Sequence, residues 1–156
     1  MLEMEKTYLL KNIPFQLDQY PHKELVDHYI PVESDHPKLR LRKRWEIYEI
    51  TKKTLVQEGD CSIQREQTID LTKSEYQALA ELPSKIIHKI RYYVHWGEFI
   101  LEIDVFQKDL DGLILMDIEF SNKQQMKDFS MPDFCLADVT QNPLFAWGML
   151  CWKSYT

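Results

Sequence analysis

Three cysteines, Cys61, Cys135 and Cys151, form an odd set with no CxxC spacing, which excludes a disulfide framework and a cysteine zinc site. They read as reduced thiols, mostly buried, in a cytoplasmic protein. Glycine is scarce, at four residues, and apolar residues make up 44% of the chain against 28% charged, which rules out a disordered or low-complexity profile. No apolar stretch nears the roughly 20 residues of a membrane-spanning helix, so no membrane partner is expected. The acidic start Met1-Leu2-Glu3-Met4-Glu5 lacks an apolar run behind a basic segment, so no signal peptide is expected either. Positive charge is not in excess: the net charge is −6, which argues against broad nucleic-acid binding. The five histidines have no ligand-like spacing.

What is there is one domain, 1–156, with no repeat, linker or boundary. Alternation and turn signals predict strands over 2–10, 38–43, 47–54, 61–70, 86–95, 99–106 and 113–120. A short helix is predicted at Lys23–Tyr29, after Pro21. Thr72 and Glu75 form a capping box that opens a helix to about Leu82, stopped by Pro83. Ser121 caps a second helix over Asn122–Phe129, and a third is drawn at Leu144–Trp152, weakened by Gly148. Strands in this order with short reversals imply an antiparallel sheet or closed barrel: an α+β chain dominated by β-structure.

Charge sits on these strands in same-sign pairs two residues apart: Glu3/Glu5, Arg40/Arg42, Lys89/Arg91, Glu102/Asp104 and Asp117/Glu119. Residues at that spacing share a face. The opposite faces are apolar, as in Leu101, Ile103 and Val105, or Met116, Ile118 and Phe120. An ordinary half-buried strand turns its polar face to water. A solvated face mixes signs, however, because like pairs repel. Like pairs on one face suit an inside-out sheet, with charge in a lumen and hydrophobes packed outward under helices. Carboxylate pairs are hard ligands for Mg²⁺ or Mn²⁺. Arginine and lysine pairs suit phosphate oxygens. The combination describes a site for a short phosphate chain and a divalent metal.

With these residues in order, the sequence resembles the CYTH family, also called triphosphate tunnel metalloenzymes, which includes class IV adenylyl cyclases, thiamine triphosphatases and inorganic triphosphatases. Glu3-Met4-Glu5-Lys6-Thr7 matches the glutamates of its ExExK motif, with Thr7 in the lysine's place. Lys11 follows as the second basic residue. Leu39-Arg40-Leu41-Arg42 is similar to its RxR strand, Thr51-Lys52-Lys53 to TxK, Lys89-Ile90-Arg91 to KxR, and Glu102-Ile103-Asp104-Val105-Phe106 to ExDxF. Arg65-Glu66 matches the central glutamate, Asp117-Ile118-Glu119 the late ExE strand, and Asp138-Val139-Thr140 the late VT segment. A second departure is Leu144-Phe145-Ala146-Trp147, which replaces a basic-aromatic-asparagine stretch.

The resemblance implies a closed eight-stranded antiparallel β-barrel, a triphosphate tunnel, with peripheral helices. It implies a metal-dependent triphosphatase that releases phosphate from inorganic triphosphate or a related triphosphate, using Mg²⁺ or Mn²⁺, as a cytoplasmic monomer or homodimer. Glu3, Glu5, Asp117 and Glu119 would form the metal group, with Glu66, Glu102 or Asp104 contributing. Lys11, Arg40, Arg42, Lys53, Lys89 and Arg91 would hold the triphosphate, and Glu5, Lys53, Glu66 and Arg91 would serve the chemistry. The alternatives are a non-catalytic polyphosphate- or nucleotide-binding domain and a cyclase forming cyclic AMP.

Overall fold

The structure, a computed structural model, describes residues 1–145. Nine strands carry the chain: β1 (Leu2–Leu10), β2 (His22–Ile30), β3 (Leu39–Arg44), β4 (Ile47–Gln57), β5 (Asp60–Leu71), β6 (Lys85–Trp96), β7 (Phe99–Phe106), β8 (Ile114–Glu119) and β9 (Cys135–Asp138). Two helices, α1 (Lys73–Ala80) and α2 (Lys123–Asp128), lie between them. The hydrogen-bonded order is β5-β4-β3-β2-β6-β7-β8-β1, and β1 pairs back onto β5. Eight antiparallel strands therefore close into a barrel, as expected. Closure gives each of these strands a neighbour on both sides and so removes free edges. β9 lies beside the far end of β1, pairing with Tyr8–Leu10.

The barrel is inside-out, for the reason the like-charge pairs suggested. Tyr8, Val94, Leu101, Ile103, Met116 and Ile118 point outward into one apolar layer. Phe15, Leu17 and Tyr20 of the β1–β2 connection, Met126 of α2, and Phe129 and Phe134 beyond it cover that layer. Leu101, Ile103 and Ile118 are fully buried there, each stabilising the fold by about 1.5–3 kcal/mol. On the opposite wall, Leu41 and Tyr48 are roofed by Tyr76 of α1. Inside, Leu9, Tyr29, Ile87, Phe106 and Leu115 have the parity of the charged residues. They gather with Leu110, Leu113 and Val139 into a second apolar cluster that fills one part of the lumen.

The Thr72 capping box forms as predicted: Thr72 accepts from the Glu75 N–H, and Glu75 accepts from the Thr72 N–H. Three expectations need correction. Lys23–Tyr29 is not helical but the body of β2. Leu25, Asp27, His28 and Tyr29 are all buried, so this strand is enclosed on both faces and shows no clean alternation. The cap of α2 is Asn122, whose side chain accepts from the Gln125 N–H, rather than Ser121. β9 is an added strand of four residues, too short to display a period. Of the helix drawn at Leu144–Trp152, Leu144 and Phe145 belong to a 3-10 turn, Pro143–Phe145, and the remainder lies outside the described residues. Among the described residues, no helix is long and apolar enough to cross a membrane.

Candidate active site

Strand pairing fixes the site's geometry. β1 faces β8 with Glu5 opposite Glu119, Thr7 opposite Asp117 and Leu9 opposite Leu115. The first of these pairs sets two carboxylates side by side, and Glu3, two residues earlier on β1, joins them. One oxygen from each of Glu3, Glu5 and Glu119 lies within 4.8 Å of the other two. Burial pushes the Glu5 carboxyl up to about 7; Lys53 and Arg91 oppose the rise, while Glu3 and Glu102 add to it. Burial also raises Glu3, against the pull of Lys53, and Glu119 is raised by burial and by Glu102. Three crowded carboxyls that resist ionisation, each offering hard oxygen, form a donor set that fits Mg²⁺ or Mn²⁺.

Glu5 also lines a cavity of about 430 Å³, which it shares with Thr7, Arg40, Thr51 and Lys53 from the barrel wall. The β2–β3 connection adds His36 and Lys38, and the segment after β9 adds Asn142 and Phe145. Lys53 bonds Glu3 and lies 3.5 Å from Glu66. Burial pulls the Lys53 ammonium down, but Glu5 and Glu3 outweigh it and raise its pKa, so it stays charged. Arg40 makes no ion pair among the described residues, and its Nε is buried without a hydrogen-bond acceptor. It is a cation facing a cavity with part of its hydrogen-bonding capacity unspent.

Deeper in the lumen, charges pair with one another. Arg91 Nε and Nη2 donate to the two Asp104 oxygens at 2.7 and 2.6 Å. Its Nη1 donates to Glu102, and Nη2 also reaches Asp117 at 3.0 Å. Lys89 donates to Asp104 at 2.9 Å, yet burial outweighs that partner and draws its ammonium down to about 8. Asp117 accepts from the Thr7 hydroxyl at 2.8 Å. Burial and the nearby Glu5 push Asp117 up to about 8 in spite of Arg91. Arg42 donates two bonds to Asp27, at 2.6 and 2.7 Å.

The sequence-predicted residues thus divide into three groups. Glu3, Glu5 and Glu119 meet as a cluster, with Arg40 and Lys53 on the adjoining cavity and Glu66 beside Lys53. Arg42, Lys89, Arg91, Glu102, Asp104 and Asp117 are also in the lumen, but they are engaged in the ion pairs above. Lys11 lies exposed beyond the end of β1, apart from both groups. Lys6 points outward, 3.5 Å from the Phe129 carbonyl and over the Phe120 ring, and does not stand in for a cation at position 7. His95 is exposed at the end of β6. Sequence reasoning missed Asp27, because a helix over 23–29 hid its place opposite Arg42. It also missed Thr7 as a hydrogen-bond donor to Asp117. The same-face parity of Thr7 with Glu5, and of Asp117 with Glu119, was the available signal.

No family model matches the chain. An inorganic triphosphatase of Nitrosomonas europaea is 30% identical over 145 residues, 91% of each chain. A solved structure of an inorganic triphosphatase superposes with a TM-score of 0.68 at 22% identity, covering 96% of this chain and 93% of the other. A putative adenylate cyclase from Bacillus halodurans superposes with a TM-score of 0.63 at 17% identity, over 80% and 83% of the two chains. These two structural likenesses concern the barrel itself.

Proposed function

The chain belongs to the CYTH, or triphosphate tunnel metalloenzyme, family, and from that premise we propose that it is a triphosphatase that hydrolyses inorganic triphosphate with the help of Mg²⁺ or Mn²⁺. The observation that carries the proposal is the adjacency of the Glu3–Glu5–Glu119 cluster to Arg40 and Lys53, with Glu5 common to the cluster and the cavity. Crowded carboxylates beside two cations, one of them bonded to Glu3, suit an anionic chain bridged by a divalent cation.

Hydrolysis adds water across a phosphoanhydride bond and yields orthophosphate and pyrophosphate. Arg40 and Lys53 hold phosphate oxygens and offset their charge as the terminal phosphoryl group transfers. Lys53 is itself steered by Glu3 and Glu66. Arg91 fixes Glu102, Asp104 and Asp117 in one array behind the site. Glu3, Glu5 and Glu119 would hold the metal, and a divalent cation held there would supply positive charge to phosphoryl oxygens and acidify a water. The apolar cluster around Leu9, Phe106 and Leu115 keeps water out of that part of the lumen.

Phosphate release from inorganic triphosphate, ATP and thiamine triphosphate, each with Mg²⁺ or Mn²⁺, tests the proposal. Turnover of inorganic triphosphate that requires the cation is expected. Tight binding of triphosphate without release from any of the three, by folded protein, would instead assign a binding domain.

A further inference from the structure

β3 carries two lumen-facing arginines of the same parity, and the structure treats them differently. Arg40 lines the cavity and has a buried Nε with no acceptor among the described residues. Arg42, two residues on, is opposite Asp27 in the β2–β3 register. Its Nε and Nη2 both donate to that carboxylate, at 2.6 and 2.7 Å. Asp27 is fully buried and the Arg42 side chain is 7% exposed, so water competes little for the pair. A bidentate guanidinium–carboxylate contact uses two parallel charge-assisted bonds and cancels the charge it holds. Lys89 is also held by a carboxylate, through a single bond to Asp104, which Arg91 shares.

We infer that Asp27 is a positioning residue that sets the reach of the phosphate site, claiming the fork of Arg42 and leaving Arg40 as the phosphate-binding arginine of β3. This rests on the reading of the lumen as the triphosphate site. The cationic track that lines the cavity is then short: Arg40, and Lys53, which reaches the same space although Glu3 and Glu66 hold its ammonium. Arg42 is held back from the phosphate oxygens, which limits ground-state binding of triphosphate and of the pyrophosphate product. Freeing Arg42 tightens both without helping the transition state, because an interaction equally strong in both states lowers KM and leaves kcat no higher.

The test is a double-mutant cycle of Asp27→Asn and Arg42→Gln, with Arg40→Gln as comparator, reading KM and kcat for inorganic triphosphate and inhibition by pyrophosphate. Asp27→Asn is expected to lower KM by about threefold or more, strengthen pyrophosphate inhibition and leave kcat no higher. Arg40→Gln is expected to raise KM about tenfold or more. The double variant leaves neither charge buried alone, so it carries the test if Asp27→Asn does not fold. It is expected to return KM to within about threefold of the parent protein. A KM raised about tenfold in the double variant would show Arg42 reaching substrate past Asp27 and overturn the inference, as would a raised KM in folded Asp27→Asn. A parent protein that neither binds nor hydrolyses triphosphate overturns the underlying site reading as well, whereas an active parent with either of the adverse results overturns the role of Asp27 alone.

Discussion

Replacing Glu5 by glutamine should make the metal-free protein more stable while removing most of its activity. The two effects have one cause. At an effective dielectric of about 20, unit charges 4.8 Å apart repel by about 3.5 kcal/mol, and Glu5 has two such neighbours, Glu3 and Glu119. Protonation near 7 relieves part of this, which caps the cost of Glu5 to folding at neutral pH at about 3 kcal/mol. Glutamine keeps the shape without the charge. That ceiling is already net of the attraction to Lys53; the cost of burying the glutamine amide takes back part of the gain, leaving about 1–2 kcal/mol. For a chain of this size that raises Tm by about 2–8 °C, read by thermal unfolding in EDTA. Phosphate release with Mg²⁺ or Mn²⁺ should drop by about 10²–10³, because a charged ligand of the cluster is gone. A lower Tm together with undiminished release would refute the assignment, since it would make Glu5 an ordinary partner of Lys53.

Titrating Mg²⁺ or Mn²⁺ into the metal-free protein should raise Tm, by an amount equivalent to about 2.7 kcal/mol at 100 times Kd, and Glu119→Gln should blunt the rise; equal shifts in both proteins would remove Glu119 from the cluster. Arg42 holds the Asp27 carboxyl well below its ordinary range, overcoming the opposing effect of burial. The stability this pair contributes is therefore fully present above the unfolded carboxyl value of about 3.9 and is lost as pH falls through the depressed folded value. Comparison of Tm against pH from 6 down to 2 should show that acid loss in the parent, with a shallower slope in the Asp27→Asn/Arg42→Gln variant. Thr72→Ala removes the cap of α1 and should cost about 1 kcal/mol with triphosphate turnover unchanged, as measured by urea unfolding and phosphate release; a large loss of turnover would tie α1 to the site.

The inside-out barrel was readable because its physics is local: Glu102 and Asp104 repel, Leu101 and Ile103 do not, and period two separates them. The capping box was readable for the same reason. β2 was not, because a strand enclosed on both faces carries Leu25, Val26, Asp27 and His28 in succession and loses its alternation. That error propagated to the site, since Asp27 can be recognised as the partner of Arg42 only once β2 is placed beside β3. Leu9 shares the parity of Glu3 and Glu5, and an apolar residue on that face has no local explanation. It is explained by Leu115 across the β1–β8 ladder and by Phe106 beside it, contacts about 100 residues away along the chain. The acidic cluster was legible as residue types but not as a subset: Asp117 and Glu119 look alike in sequence, and only the Thr7 and Arg91 contacts separate them.

β1 is the seam of the barrel, and its partners come late. It binds β5, then β8, then β9, and the Thr7 N–H finds the Thr140 hydroxyl 133 residues downstream. During synthesis the segment made first among these strands therefore waits for nearly all the others. Such long-range closure makes folding slow relative to helical proteins of similar length. Glu3 and Glu5, the same groups that later crowd the lumen, give the waiting segment the charge that discourages it from pairing with a neighbouring nascent chain.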